Sequence, residues 1–102
     1  MADTMVTICN SAACNVNSRI NVSGVGAVTQ YGNELMAGQS VTMDLTQANC
    51  DQYAGKEFIV QVDAIGGTSN NSSGNALYVQ GAAYRFNVEG SVDNIQVDGP
   101  VT

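Results

Sequence analysis

The chain has 102 residues, enough for one domain, and carries nine acidic against three basic side chains, for a formal net charge of −6. Three cations cannot neutralise a run of phosphates or form a polybasic membrane patch, so the composition argues against nucleic acid and anionic lipid as partners. Because the sequence has no histidine, the commonest metal ligand and general base is also missing.

The residue types favour β structure and an extracellular or assembled protein. Thirteen valines and five isoleucines stand against three leucines, and β-branched side chains pack better on a pleated sheet than on a helix. Charged residues make up only 12% of the chain, about half the usual share. The apolar runs are too short for a transmembrane helix, and the N-terminal residues have no features of a signal peptide. The low charge favours an extracellular or cell-surface location, whereas the lack of a signal peptide leaves open that the protein stays inside the cell. We expect no transmembrane segment.

Alternating polarity predicts three strands in the first third of the chain. The first covers roughly 4–9. The clearest alternation lies in 15–23, where every second residue faces the core and the others form a polar outer surface. A third run, 25–30, leads into Gly32-Asn33, a pair suited to a tight turn with positive φ.

The middle of the chain predicts two more strands with a short helical turn between them. The first strand covers 40–46. The stretch 46–54 loses the alternation and ends at a glycine, which predicts at most one short helical turn as a crossover. The second strand, 57–65, is partly apolar on both faces, so we expect it at the centre of a sheet.

The last third predicts an exposed loop followed by three strands. Residues 66–75 include no apolar side chain, which is typical of a flexible loop. Two dipeptides, Gln80-Gly81 and Gly90-Ser91, predict turns. The strands between and around these turns cover about 76–80, 82–89 and 92–98.

Eight short strands at roughly ten-residue spacing predict an all-β protein, an antiparallel β-sandwich of the immunoglobulin-like or jelly-roll type. In this interpretation residues 1–102 form a single domain. The order of the strands within the sheets stays open, since spacing alone does not determine it.

Three cysteines, Cys9, Cys14 and Cys50, give an odd count. Cys9 and Cys14 flank a short stretch that a hairpin loop can close, and a bond between Cys14 and Cys50 is equally open, because pairing cannot be read from a sequence. Any pair leaves one thiol for burial in the core or for an intermolecular bond. Three cysteines without histidine do not make a convincing zinc site.

A group of oxygen ligands near the C-terminus is a candidate calcium site, and we expect no other cofactor. Calcium takes six to eight oxygens from carboxylates, amides and main-chain carbonyls. The spacing matches no EF-hand, and the alternative is that these groups are only solvated. The candidate ligands are Glu89, Asp93, Asn94 and Asp98.

The outer surface of the second strand is a candidate binding site for glycans or a cell-surface partner. Amide side chains in a row can hydrogen-bond sugar hydroxyls, and tyrosines such as Tyr31, Tyr53 and Tyr78 can stack on a sugar ring. The alternative is a solvated sheet face, and the lack of tryptophan weakens the case for sugar. Three of the candidates, Asn21, Asn70 and Asn71, also match the N-glycosylation pattern. The full set is Asn15, Asn17, Arg19 and Asn21 on the strand, with Asn70, Asn71 and Asn75 in the loop.

The residues give little support to an enzyme. Nucleophilic catalysis needs a base beside the nucleophile, and with no histidine and one lysine no serine or cysteine has an obvious activator. A glycosidase needs two carboxylates across a cleft, whereas the acidic residues here are spread thinly along the chain. We therefore expect a protein that is not an enzyme.

Self-association is the function that the sequence favours. Lysine commonly keeps a sheet edge from adding a neighbour's strand, and this chain has little of it. The runs Thr4 to Cys9 and Val92 to Val101 are β-prone and lie at the chain ends, where they either reach a second subunit or complete the chain's own sheets. We predict a structural subunit that assembles through β edges into a homo-oligomer, shell or filament. The alternative is a small lectin-like module, with or without calcium.

Overall fold

The computed structural model describes residues 2–30 and 34–101, and in it two β-sheets pack face to face over one core. A single 3₁₀ turn, Cys50–Tyr53, confirms the short helical turn predicted near 46–54. The predicted turn at Gly32-Asn33 lies outside the described residues. The strands are β1 (Met5–Asn10), β2 (Val16–Val22), β3 (Gly26–Gln30), β4 (Ser40–Asp44), β5 (Glu57–Ala64), β6 (Asn70–Ser72), β7 (Ala76–Leu77), β8 (Ala83–Ser91) and β9 (Asn94–Asp98).

The two sheets have different strand orders. Sheet A has the order β4-β1-β8-β9, and sheet B has the order β3-β2-β5-β6, with β7 pairing with the start of β5. The predicted β-sandwich is confirmed, with one departure from an antiparallel pattern, because β1 and β8 run parallel. Across residues 2–30 and 34–101, no helix has the length and hydrophobicity needed to span a membrane.

Period-two alternation determines which side chains enter the core. On β2 the buried residues alternate with exposed or half-buried ones, as predicted, and β5 repeats the pattern. Burying one valine, isoleucine or phenylalanine side chain contributes about 1.5–3 kcal/mol, so these two central strands supply much of the stability. Their buried side chains are Val16, Ser18, Ile20 and Val22 on β2, with Phe58, Val60, Val62 and Ala64 on β5.

Two predictions in the last third of the chain are wrong. Asn70–Ser72 is a strand, β6, that pairs with Gln61–Asp63 of β5, rather than part of a loop. The hairpin between β8 and β9 turns at Val92-Asp93 instead of Gly90-Ser91, because Ser91 still pairs with Asn94. Gly90 lies within β8 instead. Its φ is +103°, and a Cβ there would overlap the main-chain oxygen of Asn94, so the position requires glycine.

The first strand is not at an edge. β1 lies between β4 and β8, and hydrogen-bonded neighbours occupy both of its sides. The run from Thr4 to Cys9 therefore completes sheet A of its own chain, which was the alternative to its reaching a second subunit.

Candidate functional site

The outer surface of sheet B carries most of the predicted binding residues. Asn17, Arg19 and Asn21 point outward from β2, and the polar residues of β5 lie beside them. The Arg19 guanidinium donates to the Asp63 carboxylate at 2.7 Å, and the Asn21 amide donates to Gln61 at 2.6 Å. An ion pair this exposed contributes about 0–1 kcal/mol. Its main effect is to occupy polar groups that a ligand would otherwise use.

Asn15 has a structural contact at the start of β2. Its side-chain amide donates to the Glu34 carboxylate, and its side-chain oxygen accepts the main-chain N–H of Ala37 at 3.0 Å. Asn15 therefore connects the segment 34–37 to the start of β2, and both the nitrogen and the oxygen of its side-chain amide form hydrogen bonds.

Asn71 links the two sheets. Its side-chain amide donates to the main-chain oxygen of Ile95 on β9 at 3.0 Å. The N–H of Ile95 donates in turn to the Ser69 hydroxyl at 2.9 Å. Of the predicted loop ligands, Asn70 is exposed on β6 and Asn75 is exposed just before β7, so only these two are free to meet a ligand.

A cavity of about 170 Å³ opens at the end of sheet B where β2 ends and β5 begins. Two of the predicted residues, Asn21 and Asn75, line it, on either side of Ile59. Ser23 and Glu57 lie next to each other two residues further along the two strands from Asn21 and Ile59. There the N–H of Ser23 donates to the main-chain carbonyl of Glu57 at 2.8 Å. The sequence did not identify Ser23, Ile59 or Glu57, because only cross-strand register brings them together.

The candidate calcium ligands are distributed along the β8–β9 hairpin. Asp93 lies in its turn, Asn94 is the first residue of β9, and Glu89 and Asp98 face different partners, Gln96 and Asn87. Within residues 2–30 and 34–101, no three acidic or cysteine side chains form a group able to hold a metal ion. Calcium at this hairpin stays a prediction.

The three cysteines are free, buried thiols, and none forms a disulfide in the structure. Cys14 and Cys50 belong to the core, whereas Cys9 lies on the other face of sheet A. Burial raises the pKa of the Cys14 thiol, and burial together with the charge of Asp51 raises the pKa of Cys50. A thiol with a raised pKa stays protonated and is a poor nucleophile.

A hydrogen-bond cluster around Asp51 is the polar feature that sequence reasoning missed. Its carboxylate accepts the hydroxyls of Thr4 at 2.9 Å, Thr46 at 2.9 Å and Tyr78 at 2.8 Å. The Tyr78 bond is the largest cause of a lowered pKa at Asp51, with desolvation acting in the opposite direction. The cluster ties the N-terminal segment, the 3₁₀ turn and the chain after β7 to one another.

The predicted stacking role of tyrosine is wrong for Tyr78. Its ring is 1% exposed and packs edge-on against Phe58, with 5.8 Å between ring centroids. Burial, reinforced by the bond to Asp51, raises the pKa of its hydroxyl. Tyr53 is half-buried against the core, and Tyr31 lies outside the described residues.

Most of the sheet edges have a recognisable protection against adding a neighbour's strand. At β9, side chains of Ser69 and Asn71 occupy the outward groups of Ile95. β3 has a register irregularity opposite Ile20 and Asn21, of the kind that twists an edge. β6 and β7 are three and two residues long, and short strands make poor templates.

Among the strands and contacts of the described residues, β4 is the edge that lacks such protection. It has five residues without lysine or proline, and its ladder with β1 is regular from Ser40 to Asp44. Leu45 donates its N–H to the main-chain oxygen of Thr4. Because hydrogen bonds alternate along an antiparallel pair, every second residue of β4 directs its main-chain N–H and C=O away from β1. The residues with outward main-chain groups are Ser40, Thr42 and Asp44.

No family model, curated protein or solved structure matches this chain.

Proposed function

We propose that this protein is a non-enzymatic structural subunit that assembles through the outer edge of β4. One observation carries the proposal: within residues 2–30 and 34–101, β4 is the edge strand with neither a bulge, a side-chain cover nor an unusually short length. Unpaired N–H and C=O groups in a row are a template for a further strand. The terminal runs favoured by the sequence fit this role less well, since β1 is internal and Ser69 and Asn71 cover β9 at Ile95.

The partner with the best fit is a second copy of the same strand. Antiparallel pairing of two β4 strands around Thr42 gives an interface with two-fold symmetry, in which both copies use the same surface. Every outward residue then meets an outward residue: Thr42 faces Thr42, and Ser40 faces Asp44. The two sheets A become one continuous sheet across the interface. The Asp44 carbonyl already accepts the N–H of Ala48 at 3.2 Å, so the central Thr42 pair contributes most.

The charge of the chain shapes this assembly. Each copy carries a net charge of −6, which opposes association through repulsion between copies. The two-fold register limits this cost, because Asp44 lies opposite the hydroxyl of Ser40 rather than opposite another carboxylate. Pairing of this kind occupies the open edge of both copies, so it closes at a dimer. A shell or filament would need further contacts through other surfaces.

A calcium-dependent lectin-like function has less support at the residues first considered for it. Arg19, Asn21 and Asn71 form hydrogen bonds within the chain, and the four oxygen ligands near the C-terminus are spread along a hairpin. The hydrogen bonds leave fewer groups free for a sugar, and the spread along the hairpin separates the candidate calcium ligands from one another.

The experiment is a measurement of molecular mass in solution for the wild type and two lysine variants. Thr42→Lys puts a charge at the centre of the open edge, and Ala27→Lys puts the same charge on β3, where the residue is also exposed. Sedimentation equilibrium should show a dimer for the wild type and Ala27→Lys and a monomer for Thr42→Lys. Circular dichroism confirms that both variants are folded.

Amide exchange gives the residue-level readout of the same proposal. The Thr42 N–H points away from β1, so it should exchange rapidly in a monomer and slowly in a β4-paired dimer. The proposal would be overturned by a wild type that stays monomeric at millimolar concentration. It would also be overturned if the Thr42→Lys variant still forms a dimer and the Thr42 amide of the wild-type dimer exchanges rapidly.

A further inference from the structure

We propose that the cavity at the end of sheet B binds a single neutral sugar ring, with the Glu57 carboxylate as its main hydrogen-bond acceptor. The cavity is on the outer face of sheet B, whereas β4 belongs to sheet A. The inference therefore does not depend on the assembly proposed above.

The size of the site suits one ring. Its volume is about 170 Å³, and a cavity of about 150 Å³ accommodates a benzene-sized molecule. Cross-strand neighbours lie about 4.5–5.5 Å apart. Asn21 faces Ile59 across β2 and β5, and the register of Phe58 with Ala76 puts Asn75 on the far side of Ile59. The three columns therefore span about 9–11 Å, which leaves room for one pyranose ring between the two amides.

The polar groups match the hydroxyls of a sugar. Among the described residues, the side chains of Ser23, Glu57 and Asn75 form no hydrogen bond, although all three line the cavity. Glu57 offers two acceptor oxygens, Asn75 both donors and an acceptor, and Ser23 one of each. Asn21 uses one N–H on Gln61 and keeps its carbonyl oxygen. Sugar hydroxyls donate and accept, so this mixed set satisfies them.

An apolar surface lies between these groups. The Ile59 side chain is half-buried at the floor of the cavity, between the two amides. Leu77 pairs with Glu57, one of the lining residues, and its side chain, 55% exposed, lies on the same outer face of sheet B beside the cavity. The C–H face of a pyranose packs on such a surface while its hydroxyls reach the rim.

Electrostatics disfavours anionic sugars. In residues 2–30 and 34–101, the one side-chain ion pair joins Arg19 to Asp63, so no cation neutralises Glu57 within 4 Å. The chain as a whole has a charge of −6. A uronic acid or a phosphorylated sugar would be repelled, whereas a neutral ring pays no such electrostatic penalty.

The test is a ¹⁵N NMR titration with methyl glycosides of glucose, galactose, mannose and N-acetylglucosamine, and with glucuronate as the anionic comparison. At least one neutral glycoside should shift the side-chain amide signals of Asn21 and Asn75, with a millimolar Kd. Glucuronate should leave these signals unchanged. The monomeric Thr42→Lys variant should give the same result, which separates this proposal from the assembly.

Two cavity variants and a matched control complete the experiment. Glu57→Gln and Asn75→Ala should each weaken binding by about fivefold, as expected for the loss of one or two hydrogen bonds. Asp3→Asn removes one negative charge just before β1 of sheet A, away from the cavity and from the candidate calcium ligands, and should leave Kd unchanged. The thermal midpoint checks that each variant is folded. The proposal is overturned if no neutral glycoside shifts Asn21 and Asn75, or if Glu57→Gln and Asn75→Ala bind as tightly as the wild type.

Discussion

Asn71 donates its side-chain amide to the main-chain carbonyl of Ile95 at 3.0 Å, which joins an edge of sheet B to an edge of sheet A. The N–H of the same Ile95 donates to the Ser69 hydroxyl at 2.9 Å. Both main-chain groups that β9 turns away from β8 at this residue are therefore occupied. This side-chain cover is what distinguishes β9 from β4, the edge through which we propose assembly.

Removing the cover should open a second edge. In the double variant Ser69→Ala with Asn71→Ala, Ile95 loses both side-chain partners, so we expect stability to fall by about 1–3 kcal/mol. A chain with two open edges can add copies on both sides, so species larger than the wild-type assembly should form. Urea unfolding and sedimentation velocity measure the two effects.

Asn70→Ala is the control for this prediction, because Asn70 is the exposed neighbour on the same short strand. It should retain wild-type stability and size. If the double variant behaves in the same way as this control, the hydrogen bonds to Ile95 do not protect the edge.

Stability at acidic pH should depend on Asp51. The hydroxyl bond from Tyr78, followed by those from Thr46 and Thr4, lowers its pKa below the ordinary value of 3.8. An acid with a lowered folded-state pKa stabilises the fold fully above its unfolded-state pKa, and loses that effect as pH falls through the folded value. The thermal midpoint of the wild type should therefore drop below pH 3.8, and Asp51→Asn should show a smaller drop. Circular dichroism melts across this range test it, and parallel curves for the two proteins would contradict it.

Ser18→Ala should make the protein more stable. The Ser18 hydroxyl is buried on the inner face of β2, where the residue is 2% exposed, and it has no hydrogen-bond partner among the described residues. A buried hydroxyl without a partner costs about 1–3 kcal/mol, and its removal leaves little empty space. We expect a gain of about 1 kcal/mol in the free energy of unfolding, measured in urea.

Ser72→Ala makes the same exchange on β6, where the residue is half-buried, and therefore controls for the change in strand propensity. Its effect should be near zero or slightly destabilising. A Ser18→Ala protein no more stable than Ser72→Ala would show that the Ser18 hydroxyl is satisfied in solution.

Association should strengthen when negative charge near β4 is reduced. The pKa of Asp3 is raised, chiefly through a hydrogen bond with the carboxyl of Asp44, the last residue of β4. In the proposed two-fold dimer, two carboxylates of one copy therefore lie at each end of the interface. Asp3→Asn should tighten the dimer by roughly threefold at neutral pH, and added salt should tighten the wild type by screening the charge.

Sedimentation equilibrium at low and high salt measures this effect. Asp93→Asn removes the same charge from the β8–β9 turn, which lies on the far side of sheet A from β4, and should change the dimer constant less. Association that weakens with salt would show that attraction between charges, rather than a β-edge pairing, holds the copies together.

The inner and outer faces of the strands could be predicted well, and the polar segments could not. Alternation placed Ser18 inside with its valine and isoleucine neighbours, although serine itself gives no such indication. It missed Asn70–Ser72, because three short polar residues have low strand propensity. They form β6 since β5 offers them a free edge and Ile95 offers Asn71 a partner.

Only some residues of the candidate cavity could be predicted from the sequence. Asn21 and Asn75 were proposed as binding residues from their type and their exposed positions. Glu57 was not, because nothing in its local sequence separates it from other exposed acids. Its place beside Ser23 is a matter of register between two strands that are far apart in the chain.

By itself, the sequence determined the class of the fold and the facing of its strands, because side chains alternate along a strand whichever strand lies next to it. The tertiary structure alone decided that β1 is internal and parallel to β8, that the three thiols are buried and free, and that β4 has an open edge. Strands pair through main-chain N–H and C=O groups, which are nearly the same in every residue. The choice of neighbour is therefore made by how two whole faces pack, and no local pattern of residues records it.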